Sequence, residues 1–248
     1  MYKRQTLDGV TLDGNSTGPS PGNGGGLHIT GAGDATITGG SVTGNAAANE
    51  GGGLWNGFGT MVVDGITVSG NTASGDGAAN GGGGIFNNEG TLQVDGATIS
   101  GNTADGTSGS GGGILNKGSE MRTGTLSVTG GAISGNTSNR AGGGIEATGF
   151  TDTALTDVTL SDNTTGANPG NGGGMHLSGG ASASVSGGTV DGNTAASEGG
   201  GLWNNTGLMT VSGTTITDNV ANGADAANGG GGLFNNTCLL YTSPSPRD

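Results

Sequence analysis

A run of three glycines followed by an aliphatic residue, as in Gly51-Gly52-Gly53-Leu54, occurs eight times in this chain and constrains its fold more than any other feature. The aliphatic anchors are Leu27, Leu54, Ile85, Ile114, Ile145, Met175, Leu202 and Leu233, spaced 27, 31, 29, 31, 30, 27 and 31 residues apart. A period in that range marks stacked units, none of which can bury its apolar face alone. An asparagine keeps the same beat, closing a short β-type run at Asn15, Asn45, Asn71, Asn102, Asn136, Asn163, Asn193 and Asn219.

Counting back from each asparagine exposes two apolar columns. Eight residues before it stand Leu7, Ile37, Val63, Val94, Val128, Leu155, Val185 and Val211; three before it stand Leu12, Val42, Val68, Ile99, Ile133, Leu160, Val190 and Ile216. Polar residues flank both columns, the period-two mark of half-buried strands. With the anchor, each repeat supplies three inward positions and predicts three short strands bent at Gly, Asn or Asp turns. Stacked at about 4.8 Å per turn, such coils form an all-β, parallel β-helix, expected to be right-handed and roughly 38 Å long for eight turns. Glycine occupies 62 of 248 positions, but collagen would need it at every third place with much proline. Disordered tracts, in turn, lack a regular apolar beat.

Nineteen acidic residues stand against six basic ones, a formal charge of −13. Such a surface repels phosphate backbones and anionic lipid, so nucleic acid is excluded as a partner. No apolar run is long enough to cross a bilayer. One cysteine, Cys238, excludes an internal disulfide.

Three domain segments are expected. Residues 6–237 form a single repeat domain, in which 21–88 match 169–236 at an offset of 148 with 41 of 68 positions identical, a five-turn copy. Residues 1–5 and 238–248 break the pattern and read as translated adapter sequence flanking an internal piece of a longer protein. Residues 118–122 look like a small insertion, and loops of varying length such as 73–77 are expected to form a ridge along one edge.

Four sets of residues carry the functional possibilities. The position after each anchor should face outward and reads His28, Trp55, Phe86, Leu115, Glu146, His176, Trp203, Phe234. Its rings, Trp55, Phe86, Trp203, Phe234, His28 and His176, form a candidate stacking column for sugars; the bland alternative is that a neighbouring loop buries them. The asparagines two places after the anchors (Asn56, Asn87, Asn116, Asn204, Asn235) and the closing ones (Asn71, Asn102, Asn136, Asn219 among them) are expected to be structural amides in turns. A Thr/Ser array flanks the second column: Thr67 and Ser69, Thr98 and Ser100, Thr159 and Ser161, Thr215 and Thr217, interrupted at Asp13, Ala132 and Asp191. Such a sheet of T-x-S/T pairs resembles the ice-facing surface of β-helical antifreeze proteins, although Thr is simply a good exposed-strand residue. The acids are scattered; only Asp152, Asp157 and Asp162 lie near one another, with Arg140 upstream. No catalytic residue and no metal site is expected, and no cofactor beyond weak Ca²⁺ on acidic rim loops.

The unit "GGG-L/I-x-N, then T-L-x-V, then T-I-S-G-N-T-A" resembles the polymorphic outer-membrane protein repeat. That family has a glycine-glycine-apolar element and an apolar-x-x-Asn element in each right-handed coil, the latter read here as Val68-Ser69-Gly70-Asn71. The resemblance implies a bacterial surface or secreted protein, often an adhesin or passenger, with no catalytic residues to transfer. The expected function is therefore a structural or adhesive array with weak multivalent binding to polysaccharide or host-surface glycan. The alternatives are a piece of a β-helical polysaccharide lyase or hydrolase with its catalytic turns elsewhere, and an ice-binding β-helix.

Overall fold

The computed structural model describes residues 4–225, 228–236 and 240–242. It is all-β, and successive turns stack as a parallel solenoid of about eight turns with about 30 residues each. One turn shows the plan. Ile85–Asn88, Thr91–Asp95, Thr98–Ser100 and Thr103–Ala104 follow one another around the coil, and each pairs in parallel with its counterparts in the turns before and after. Among the described residues the four ladders, here sheets I to IV in that order, contain 8, 9, 8 and 8 strands.

The expectation of three faces is corrected by sheet IV. Its strands are only two residues long, as at Thr103–Ala104. They begin directly after the closing asparagine, just past the bend that the left-handed Gly101 makes at φ +60°. Two residues are too few to leave a period-two signature.

Alternation sets the core. In Thr91–Asp95 the buried residues are Leu92 and Val94; in Thr98–Ser100 it is Ile99. With Ile85 these belong to one continuous apolar column that includes the anchors and both predicted columns, with Leu7, Leu12, Leu27, Ile216 and Leu233 packed half-buried against it.

Each glycine of a triplet answers a different demand. Gly82 has φ +63°, a left-handed conformation that costs other residues energy. At Gly83 an added Cβ would lie 2.5 Å from Gly112 O and from the Thr103 backbone, and at Gly84 it would lie 2.7 Å from Gly113 O. These neighbours are backbone and cannot move aside. The triplet is thus the signature of one turn's backbone pressed against the next.

Arg4 and Gln5, placed in the leader on sequence grounds, pair with Asp34 and Ala35 in the first strand of sheet II. Leu240–Thr242, assigned to the tail, pair with Met209–Val211. Residues 1–3, Cys238 and 243–248 lie outside the described residues.

Candidate functional surface

Sheet I places the ring column. Parallel register aligns His28, Trp55 and Phe86, and again His176, Trp203 and Phe234. Centroids are 4.3 Å apart for His28–Trp55 and 4.2 Å for His176–Trp203; Trp55–Phe86 and Trp203–Phe234 are near-parallel at 6.3 and 6.2 Å. The column does point away from the main core, yet it is covered. Phe86 is 0 % exposed, Trp203 5 % and Trp55 8 %, and Trp55, Phe86 and Leu115 form a second apolar cluster. Only the ends of the stacks, His28 and Phe234, are half-buried.

The cover is the segment preceding each glycine triplet, which folds back over the column. Trp55 Nε1 donates to Glu50 Oε2 at 3.0 Å, Trp203 Nε1 to Glu198 Oε2 at 2.9 Å, and His28 Nδ1 lies 3.2 Å from Asn23 O. These segments also stack on one another, with Asn23 bridged to Glu50 and Gly81 to Ser110. These short segments carry no periodic apolar pattern, so the cover left no trace in sequence.

One turn departs from the aromatic theme in a way that sequence reasoning missed. Glu146 and His176 occupy successive places of the column and are 0 % and 2 % exposed. His176 Nδ1 lies 2.7 Å from Glu146 Oε2, Ser178 Oγ donates to Glu146 Oε1 at 3.1 Å, and Arg140 reaches Oε1 at 3.6 Å. The register carried this signal, since the two residues are direct neighbours in the column. The cluster is enclosed, so it offers a substrate no approach; its groups satisfy one another.

The closing asparagines form the longest polar feature. From Asn15 to Asn219 each side-chain Nδ2 donates to Oδ1 of the next at 2.8–2.9 Å. That oxygen also accepts the preceding asparagine's backbone N–H, as in Asn71 N to Asn102 Oδ1 at 3.0 Å. The second Nδ2 proton returns to a strand carbonyl, as in Asn102 to Val68 O at 3.0 Å. A second ladder beside sheet I joins Asn56, Asn87 and Asn116, then ends on Thr153 Oγ1; another joins Asn204 to Asn235. Ile29 and Leu177 precede these runs in register, so Asn56 and Asn204 each have an Oδ1 without a hydrogen bond.

The acids named from sequence do not converge. Asp157 and Asp162 adopt φ +54° and +56° at turns where other repeats have glycine, while Asp152 accepts from Ser182 Oγ at 3.1 Å on sheet II. Arg140 turns to Glu146 instead. Among the described residues no group of three or more His, Cys, Asp or Glu could hold a metal ion, and no helix is long and apolar enough to cross a membrane. The 118–122 insertion reaches back two turns, setting the Arg122 guanidinium 4.4 Å from the Phe58 ring centre.

The variable loops form a ridge tied by its own polar bonds. Asp76 Oδ1 accepts both the Thr107 N–H and the Thr107 hydroxyl at 2.8 Å. The amide bond first and the hydroxyl second hold the Asp76 carboxyl below its usual range. A depressed folded value means the interaction is fully present above the ordinary aspartate range and disappears as pH falls through that lower value. Protection of the Thr107 amide, taken relative to its intrinsic exchange rate at each pH, should therefore be high at neutral pH and fall in acid, and Asp76→Asn should flatten that profile. A Thr107 amide whose protection ignores pH in the intact chain would contradict this. No protein-family model, curated protein or solved structure matches the chain.

Proposed function

We propose that this chain is a rigid spacer and adhesive array from a bacterial surface or exported protein of the polymorphic outer-membrane protein type. The asparagine ladder carries the reading. A chain of amides unbroken over eight asparagines, and buried from Asn45 to Asn193, links every turn to the next. Successive turns can then differ outside while the axis stays stiff. That is the division of labour a spacer needs: a uniform interior for reach, a variable exterior for contact.

Binding on such a rod comes from many weak, regularly spaced contacts. Because the ring column is covered, a glycan partner would meet the sheet faces and the corner bearing exposed Phe58 and Phe150. Sequencing the parent gene tests the reading. An export signal with a membrane barrel or a wall-sorting segment is the expected outcome. Further turns bearing converging carboxylates and a Lys or Arg on an outer face would overturn it in favour of a polysaccharide lyase or hydrolase.

A further inference from the structure

The outer face of sheet III has properties that the spacer role does not require. Its strands present two outward residues on either side of one buried residue, as Thr98 and Ser100 flank Ile99. Register is exact in the sense that every outward residue has a Cα partner in the next turn: Thr67 lies between Ser41 and Thr98, and Ser69 between Thr43 and Ser100. Of the sixteen outward places, thirteen carry a hydroxyl; Asp13, Ala132 and Asp191 are the exceptions. The result is a two-dimensional lattice of hydroxyls, about 4.8 Å apart between turns and roughly 6.8 Å apart along each strand.

Three further observations narrow what such a lattice meets. First, its central hydroxyls are unspent. At the two ends, Thr43 donates to Asp13 at 2.6 Å and Thr217 to Asp191 at 2.7 Å. Between them, Thr67, Ser69, Thr98, Ser100, Thr159 and Ser161 make no side-chain hydrogen bond among the described residues. Second, the four central turns present no charged group on this face, from Thr67 to Ser161. A charge orients its own hydration shell and competes with any regular arrangement of water. Third, the flanks are low. Gly65, Gly96 and Gly130 border one side and Gly101 the other, and a Cβ at any of them would touch nothing within 4 Å; the exception is the Thr159–Ser161 turn, where exposed Asp157 and Asp162 take the glycine places.

The lattice is also stiff. In the column of Thr67, Thr98 and Thr159 the branched Cβ restricts χ1 and so fixes where hydroxyl and methyl point, while the serine column of Ser69, Ser100, Ser134 and Ser161 is held through its backbone register. The asparagine ladder starts two residues beyond each strand, at Asn71 and Asn102, and holds the turns in register from inside. Rings suited to stacking on sugars are absent from the face, which argues against crystalline polysaccharide.

We propose that the outer face of sheet III binds ice. Regular, uncharged hydroxyls and methyls at fixed spacing order the water above them into a layer that an ice surface can continue. The inference stands on sheet III alone and does not depend on the spacer reading. The test is to grow ice slowly in a dilute solution of the purified chain and measure protein in the ice against protein in the liquid. The wild-type chain should be enriched in ice relative to an inert globular protein of similar size, and should slow recrystallisation.

The double variant Thr98→Lys/Thr159→Lys should lose both effects. Ala132→Lys, a single change at the centre of the array, should weaken them. Ser184→Lys on sheet II should leave them intact. Thermal melts confirm that each variant is folded. Exclusion of the wild-type chain from ice, or equal incorporation of the sheet III and sheet II variants, overturns the proposal. Retention on crystalline cellulose or chitin with exclusion from ice would likewise overturn it and reassign the face to polysaccharide.

Discussion

Replacing Asn102 with leucine is expected to destabilise the solenoid strongly, as should the same change at any fully buried place of the asparagine ladder. Leucine keeps the branched skeleton but ends in bulkier methyls, so crowding against the neighbouring glycines adds to the loss of hydrogen bonds. Asn71 loses the oxygen that takes both its backbone N–H and its Nδ2, and Val68 O loses a donor. Asn136 Oδ1 keeps its bond from the residue 102 backbone N–H but loses the amide donor. These groups are buried, Asn71, Asn102 and Asn136 each being 0 % exposed, so water cannot replace the missing partners. At roughly 1–3 kcal/mol for each stranded group, the cost is about 3–6 kcal/mol.

The same change at the ladder's end should behave differently. Asn219 is half-buried, and water can take over part of its bonding, so Asn219→Leu should cost about 1 kcal/mol. A linear array couples mainly through neighbouring turns. A break at residue 102 should therefore also separate unfolding into two transitions, seen in urea titration followed by far-UV circular dichroism. Equal losses at residues 102 and 219 would show that the ladder is decorative.

Much of this fold was legible from the chain. The anchors and both columns before the asparagines lie in or against the core, because an inward position in a solenoid has one environment and selects one class of residue. The asparagines were legible as turn amides for the same reason. What stayed hidden depends on segments without periodicity. Sheet IV is two residues wide, as at Thr72–Ala73. The cover over Trp55 and Trp203 relies on single carboxylates, Glu50 and Glu198, bonded to indole nitrogens. Neither signal recurs within a turn, so no pattern announces it.

Arg140 illustrates the limit most clearly. It stands upstream of the acids at 152, 157 and 162, yet it reaches none of them: in space it belongs with Glu146 of its own turn and with Ser110, one turn back. Proximity along the chain is a poor guide when each turn returns about 30 residues later. Register is the better guide, and it would have joined Glu146 to His176 directly. The Thr/Ser array gained most from the structure. Register turned scattered T-x-S pairs into a continuous lattice, and the hydrogen-bond pattern showed that its central hydroxyls are unspent.

His176→Leu is expected to cost about 3–5 kcal/mol, and adding Glu146→Leu to recover most of that loss. Glu146 is fully enclosed and its Oε2 lies 2.7 Å from His176 Nδ1. Without the imidazole, that oxygen faces the apolar interior of the column with no donor. Ser178 and Arg140 reach only Oε1, so they cannot substitute. A leucine at 146 removes the need, and the site accepts one: Leu115 fills the same place in the preceding turn at 0 % exposure. Arg140, whose side chain is 23 % exposed, can then turn to solvent.

The double variant should thus fall within about 1 kcal/mol of wild type or exceed it, as buried polar pairs replaced by apolar residues of similar volume often do. A double-mutant cycle from urea midpoints should give a coupling energy of at least about 2 kcal/mol. Because the pair is buried, that coupling should persist at high salt, where a surface pair would lose it. Additive losses would mean that each residue is held by its packing alone. The polar pair would then be an incidental occupant of an apolar column rather than a matched unit within it.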